Sequence, residues 1–213
     1  MGRRSLPKYD RTLDISGHYR ELADIEAPFD PQSLFDQERP LEIEVGSGKG
    51  LFLHTHSQRR PDHNFLGNEI AIKYAQFAAH RLAKSELNNT FMIRGDGLKL
   101  FRELLADEIC AAVHVYFPDP WWKERHRRRR VIQPEMVKDI QRILVPDGRL
   151  HFWTDVEEYF ESGIETIKEF SELSGPLEVP VEDAKHDMDY RTHFERRMRK
   201  NDHPVFRSEF VKA

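Results

Sequence analysis

The side chains best placed to do chemistry cluster between Ala111 and Arg130. Ala111-Ala112-Val113-His114-Val115-Tyr116-Phe117 is followed by Pro118-Asp119-Pro120-Trp121-Trp122, and then by Lys123, Glu124, Arg125, His126 and Arg127-Arg128-Arg129-Arg130. Each proline fixes its own φ and favours an extended residue before it, which predicts a stiff turn carrying the Asp119 carboxylate. Two indoles stand beside that carboxylate, and five arginines with Lys123 face Glu124 as the one acid of the block. A fixed acceptor, π-faces and guanidiniums together suit an aromatic, hydrogen-bonding ligand attached to phosphates, which describes a base in a nucleic acid. Taken singly, Asp119 would cap a turn, the tryptophans would fill core and the arginines would form a solvated face. Their adjacency on one loop favours a site. Trp121 is read as core, since its indole also supports the turn.

A second constellation surrounds Gly46-Ser47-Gly48-Lys49-Gly50. Its glycines are spaced two apart, whereas the dinucleotide fingerprint places its third glycine three after the second. Lys49 is followed by glycine, so the Gly-Lys-Ser/Thr pyrophosphate cradle is missing as well. Glu44, just before the loop, would repel a pyrophosphate but suits a cation. Glu69, twenty-odd residues on, suits a ribose diol. Asp96 could accept from an adenine amino group. S-adenosylmethionine carries an adenosine, an ammonium and a sulfonium, and this set suits it better than a nicotinamide cofactor. Glu44, Gly46, Gly48, Glu69 and Asp96 are therefore the cofactor candidates. His54 and His56 lie two apart on a predicted helix and face different ways. No other residues have ligand spacing, and no metal site is expected.

The elements that must position these groups are legible from periodicity. Leu41–Val45, Asn64–Glu69, Thr90–Arg94, the 111–117 run and Arg149–Thr154 read as strands. Helices are predicted from Leu51 to about Gln58, from Ile72 to Leu87, from Leu98 to Leu105, from Pro134 to about Leu144 and from Val156 to about Leu173. Extended pieces near Val179 and 205–211 and a basic helical segment over 194–200 follow a Gly175-Pro176 turn. Strands alternating with helices imply βαβ units and a mostly parallel sheet covered on both faces. Ligands of such sheets bind beyond the carboxyl ends of the strands. The glycine loop, Glu69, Asp96, Asp119 and Asp155 all stand at strand ends, where one crevice could hold them.

Composition sets the frame. The chain has 213 residues, 38% hydrophobic and 33% charged, which suits a single soluble domain able to bury a full core. Residues 1–40, broken by Pro7, Pro28, Pro31 and Pro40, read as a basic arm with one short helix near 31–36, and residues 41–213 as the catalytic domain. The single cysteine, Cys110, allows no internal disulfide. Neither a signal peptide nor a membrane span is expected, so a cytoplasmic protein with no membrane partner is predicted. Net charge is only −4, but it is segregated. Residues 155–189 are strongly acidic and residues 191–200 basic, which gives a polyanion one attractive face and one repellent face.

Ile43 to Gly50, Gly67-Asn68-Glu69, Gly95-Asp96, Phe117-Pro118-Asp119-Pro120-Trp121, Lys123, Arg125-His126, Arg129-Arg130, Thr154-Asp155 and Thr192-His193-Phe194-Glu195 stand in order along residues 40–200. This set closely resembles the tRNA (guanine-N7)-methyltransferase family. The Pro-Asp-Pro-Trp stretch followed by lysine and Arg-His is its specific part, and the glycine loop is generic to methyltransferases. The resemblance implies an α/β, Rossmann-like, doubly wound sheet and methyl transfer from S-adenosylmethionine to N7 of guanine 46 in the tRNA variable loop. It implies cofactor contacts at Glu44, Glu69, Asp96 and Asp119, and substrate contacts at Lys123, Asp155, Thr192, His193, Phe194 and Glu195. Arg125, Arg127, Arg128, Arg129 and Arg130 are expected on phosphates.

Guanine N7 already exposes a lone pair, so no general base is required. Asp119 is expected to stabilise the charge that develops on the base and to clamp its N1–H and N2–H edge, with Asp155 the second candidate. Three rival readings remain. One is a methyltransferase of an exocyclic amine, whose Asp/Asn-Pro-Pro-aromatic loop is approached here without the adjacent prolines. The second is a non-catalytic RNA-binding module, and the third, more distant, is a nicotinamide oxidoreductase. Monomer and homodimer are both open.

Overall fold

The computed structural model describes residues 6–181 and 183–213, apart from the side chain of Arg127. Eight strands form one sheet: β1 (Tyr19–Glu21), β2 (Leu41–Val45), β3 (Asn64–Glu69), β4 (Thr90–Arg94), β5 (Cys110–Tyr116), β6 (Leu144–Thr154), β7 (Ser174–Leu177) and β8 (Phe206–Val211). Their order is β1-β4-β3-β2-β5-β6-β8-β7. The first six pair in parallel, while β8 runs antiparallel to β6, and β7 to β8. Every residue of β2 and β3 is buried, as expected of strands covered on both faces.

Helices α1 (Leu51–Arg59) and α2 (Ile72–Lys84) cover one face over Phe52, Leu53, Phe65, Ala75, Ala78, Leu82 and Met92. The other face lies under α4 (Pro134–Ile143) and α5 (Glu157–Phe170), with Val113, Met136, Ile140, Leu150, Phe152 and Tyr159 in its core. Between β4 and β5 the chain makes only the short α3 (Gly97–Lys99) and a π-helical turn, Leu100–Leu104, instead of the longer helix expected over 98–105. A last helix, α6, spans His193–Lys200. Gly50 starts α1 at φ 64°, and a Cβ there would lie 2.8 Å from Ala78 Cβ, so only glycine lets α1 and α2 meet this closely.

From β2 the chain winds outward through β3 and β4, then returns to place β5 on the other side of β2. The order therefore reverses between β2 and β5, where Glu44 pairs with His114 and Val45 with Val115. In open sheets of this kind, ligands bind at such a reversal.

Three strand features differ from the sequence reading. Tyr19–Glu21, inside the supposed arm, extends the sheet beside β4. Strand β6 begins at Leu144, and the Pro146-Asp147-Gly148 turn is absorbed by a register shift between the Cys110 and Ala112 pairings. The Gly175-Pro176 turn lies within β7, whereas Val179 is outside any strand. Each feature depends on long-range pairing, to which local periodicity is blind.

Candidate active site at the carboxyl rim of the sheet

The glycine turn is built by backbone geometry. Gly46 and Gly48 adopt φ of 79° and 53°, in the left-handed region. The amides of Gly46 and Ser47 both donate to the Asn68 carbonyl, at 2.8 and 2.9 Å. Glu69 at the end of β3 fastens the loop from the other side. Its Oε2 accepts from the Gly48 amide at 2.9 Å and its Oε1 from the Ala71 amide at 2.7 Å.

Two carboxylates on one face of β2 behave oppositely. Glu42 is satisfied: Arg60 Nη1 donates to it at 2.7 Å, His114 Nε2 lies 2.7 Å away and His63 Nδ1 lies 3.0 Å away. Glu44, two residues nearer the rim, is 3% exposed, and its Oε2 has no hydrogen-bond partner among the described residues. Burial pushes its carboxyl up to about 8, against a smaller opposing effect of Ser47, and the neighbouring Glu69 adds to the rise. A buried acceptor without a donor is costly. At a ligand crevice that cost is recovered when a cationic group arrives, so the donor set fits an ammonium-bearing cofactor.

Asp96 is exposed and caps α3, with Oδ1 accepting from the Leu98 amide at 3.0 Å. Asp155 is half-buried just past β6. Asp119 is exposed on the loop after β5, with no hydrogen bond or ion pair among the described residues. The strands that carry Glu44, Glu69, Asp96, Asp119 and Asp155 are parallel neighbours, so all five acids reach one rim.

The Pro-Asp-Pro turn is stiffer than expected, for a different reason. Phe117, expected extended before Pro118, has φ 50°, and Trp121 has φ 45°. Left-handed conformations cost on the order of 1–3 kcal/mol each for such residues. The pair brackets Asp119, and the Phe117 amide is held by the Trp153 carbonyl at 2.7 Å. Trp121 is a correction to the core assignment. It is half-buried, lies outside both apolar clusters, meets His126 edge-on at 5.7 Å and carries the Arg129 guanidinium 5.2 Å from its ring. Trp122 is 63% exposed.

A 3-10 turn, Glu124–Arg129, follows. Lys123, Arg125, Arg128 and Arg129 are exposed and have no carboxylate partner among the described residues. The Arg127 side chain lies outside the described residues. Arg130, expected on a phosphate, has partners within the fold. It is 8% exposed, its Nε donates to the Pro120 carbonyl at 2.8 Å, and its guanidinium lies 4.5 Å from the Tyr159 ring. These contacts brace the loop that carries Asp119.

The Thr192–Glu195 segment begins α6. Thr192 Oγ1 accepts from the Glu195 amide at 3.0 Å, which caps the helix. Glu195, 3% exposed, accepts from the Arg191 amide at 2.7 Å, Arg199 at 3.2 Å and Arg207 at 3.4 Å. Both side chains, expected at the substrate, are engaged in hydrogen bonds within the fold. His193 lies 3.5 Å from Arg81 Nη2. Phe194, 43% exposed, stacks on Phe117 at 5.9 Å and so joins this segment to the Asp119 loop.

Sequence reasoning missed the support beneath the rim. Arg191 Nη1 donates to Tyr116 Oη at 2.8 Å, Tyr116 Oη meets His114 Nδ1 at 2.9 Å, and His114 reaches Glu42. His114 and Tyr116 are two apart on β5, as are Glu42 and Glu44 on β2, so the spacing signalled a shared polar face. Which residues would meet across the strands depended on register.

A family model described as "Putative methyltransferase" matches residues 38–208. The tRNA (guanine-N(7)-)-methyltransferase of Rhodopirellula baltica is 49% identical over 213 residues, covering 97% of this chain and 79% of that protein. The protein of the same name from Actinobacillus pleuropneumoniae is 30% identical over 191 residues, covering 87% and 74%. That from Bordetella pertussis is 36% identical over 140 residues, covering 66% of this chain and 55% of its own length. Among solved structures, the 16S rRNA methyltransferase KamB superposes with a TM-score of 0.61 at 16% identity, over 85% of this chain and 92% of that one. The aminoglycoside resistance methyltransferase NpmB1 does so at 0.56 and 16%, over 84% and 89%. These two likenesses speak to the fold. At 49% identity over 97% of its length to the Rhodopirellula baltica protein, the chain belongs to the tRNA (guanine-N(7)-)-methyltransferase family.

Proposed function

We propose that this methyltransferase acts on tRNA, transferring a methyl group to N7 of guanine 46 in the variable loop, in the cytoplasm. The printed activity of its relatives supports the substrate. The observation that carries the cofactor reading is Glu44, a buried carboxylate with an unspent acceptor beside a glycine turn. S-adenosylmethionine, when bound, supplies a methyl group activated on a sulfonium. Glu44 would hold its ammonium, the Gly46–Gly48 turn would allow close backbone approach, Glu69 would take the ribose diol and Asp96 the adenine amino group.

The guanine needs no base to expose N7. What it needs is alignment and compensation for the charge that appears on the ring. Asp119, unpartnered and set between two strained residues, supplies both by accepting from the N1–H and N2–H edge, with Asp155 on the adjacent strand end. Lys123, Arg125, Arg128 and Arg129 hold phosphates.

Incubation with labelled S-adenosylmethionine and unmodified tRNA, followed by base-specific cleavage, tests the assignment. Label at a single guanine N7 is expected, and label on an exocyclic amine, read by nucleoside mass spectrometry, would favour the rival reading. Asp119→Ala is expected to lose at least about a hundredfold in kcat, the scale of a lost electrostatic stabiliser. Its tRNA affinity should remain close to wild type. Turnover near the wild-type rate would remove Asp119 from this role.

A further inference from the structure

Several arginines of this chain have acidic partners: Arg59 meets Asp189 at 3.0 Å, Arg94 meets Glu21 at 3.0 Å, Arg142 meets Asp107 at 2.7 Å and Arg196 meets Asp187 at 3.1 Å. A patch away from the rim gathers cations without such partners. A groove of about 530 Å³ lies between the N-terminal segment and α2, with Lys8, Tyr9, Phe77, His80, Arg81 and Lys84 among its lining. Lys8, Arg81 and Lys84 have no carboxylate partner among the described residues. The acid in the lining, Asp10, is turned back on its own segment, accepting from the Thr12 hydroxyl at 2.7 Å and the Thr12 amide at 2.8 Å. The groove is therefore cationic, and its volume suits a molecule of nucleotide size.

Arg81 closes the inner end. Its guanidinium lies 5.4 Å from the Phe77 ring, and its Nη1 is buried with no hydrogen-bond partner among the described residues. The charged neighbour that acts on it is Arg196, itself paired with Asp187. Burial first, then Arg81, Arg196 and Lys49, push the neighbouring His193 down to about 4, so that imidazole is neutral at physiological pH. A guanidinium held partly out of water with a donor unspent is costly until an anion arrives. The N-terminal segment is fixed over α2 by Tyr9, which meets Phe77 edge-on at 5.3 Å and His80 at 4.9 Å.

The groove also connects to the Asp119 loop. Arg81 touches His193, and the next residue, Phe194, stacks on Phe117 at the base of the loop. We propose that this groove is a second RNA site: a phosphodiester strand of the substrate runs between Lys8 and Lys84 and ends on Arg81, away from the methylated base. Two cationic patches joined by one path suit a polyanion long enough to touch both. The proposal rests on the tRNA reading and gives the N-terminal segment a function within it.

The test is tRNA binding by K8Q/R81Q/K84Q and by the charge-retaining K8R/R81K/K84R, measured from 50 to 200 mM salt. Neutralisation should weaken affinity at least about tenfold and flatten the log–log salt slope by about 2, at roughly 0.7 to 0.9 per phosphate contact. KM for tRNA should rise in proportion, while the charge-retaining variant keeps most of the slope and S-adenosylhomocysteine titrates both variants as it does wild type. A wild-type slope in the neutral variant overturns the proposal. So does equal loss in both variants with a lowered unfolding midpoint, which would make the three residues structural. Wild-type protein that binds tRNA with this slope but transfers no methyl to it would instead sink the enzymatic reading and leave the groove standing.

Discussion

Glu44 carries the most informative chemistry at the scale of single residues. Its carboxyl, pushed up to about 8 from an ordinary 4.5 by burial, stays protonated in the folded protein where the unfolded chain is ionised. The group's contribution to stability is therefore fully present below pH 4.5 and is lost as pH rises through about 8. Binding an ammonium requires the ionised form. Below pH 8, cofactor binding should release a proton, and affinity should gain up to about tenfold per pH unit before levelling above 8. Glu44→Gln should abolish both effects and weaken binding by about tenfold or more, the scale of a charge-assisted hydrogen bond. Titration calorimetry with S-adenosylhomocysteine in buffers of different ionisation heat reads the proton directly. If none is released at pH 7, Glu44 does not meet the ammonium.

Strands β2, β5, β6 and β8 share a buried polar ladder. Tyr116 Oη accepts from Arg191, so its own proton goes to His114 Nδ1, which leaves Nε2–H to donate to Glu42. The His151 ring stacks on His114 at 4.7 Å, and its Nδ1 lies 3.2 Å from Glu209. Burial holds His114 and His151 well below the ordinary 6.5, and His56, stacked on Phe52, at about 3. The unfolded chain takes up these protons near pH 6.5 and the folded chain does not. Stability is thus complete above 6.5 and declines as pH falls, by up to about 1.4 kcal/mol per unit for each histidine. Glu44 opposes this between 4.5 and 6.5, one group against these three and further depressed histidines, His193 among them. Urea unfolding at pH 5, 6 and 7 should show the decline, and His56→Leu should reduce its slope by about one proton. An unaltered slope in that variant would mean His56 is already protonated in the folded state.

Over the whole molecule, a chain of net charge −4 must attract a polyanion by arrangement alone. Among the described residues, Lys123, Arg125, Arg128 and Arg129 on the loop and Lys8, Arg81 and Lys84 in the N-terminal groove have no carboxylate partner, while the acidic residues of α5 lie elsewhere. Salt dependence should report the unpaired cations and ignore the committed ones. R125Q/R129Q should flatten the salt slope of tRNA binding by roughly 1.4 to 1.8. R130Q should instead lower the unfolding midpoint, because it leaves the Pro120 carbonyl without its donor, a loss of about 1–3 kcal/mol. The opposite pattern, with Arg130 controlling the slope, would mean the loop rearranges on binding.

Much of this was written into local sequence. The five central strands, the glycine turn and the position of each acid at a strand end follow from hydrophobic periodicity and from glycine and proline, because those signals act within a few residues. Tertiary structure alone decided which polar groups would be spent internally. Glu42 and Glu44 look equivalent in Leu41-Glu42-Ile43-Glu44-Val45, as do Arg129 and Arg130, yet one of each pair finds polar partners within the protein and the other, among the described residues, does not. Likewise, only pairing across the sheet drew Tyr19–Glu21 out of the arm and bound Glu195 into the fold. A side chain's partners come from strand register and helix packing between residues far apart in the chain, and no local pattern encodes the distance at which they meet.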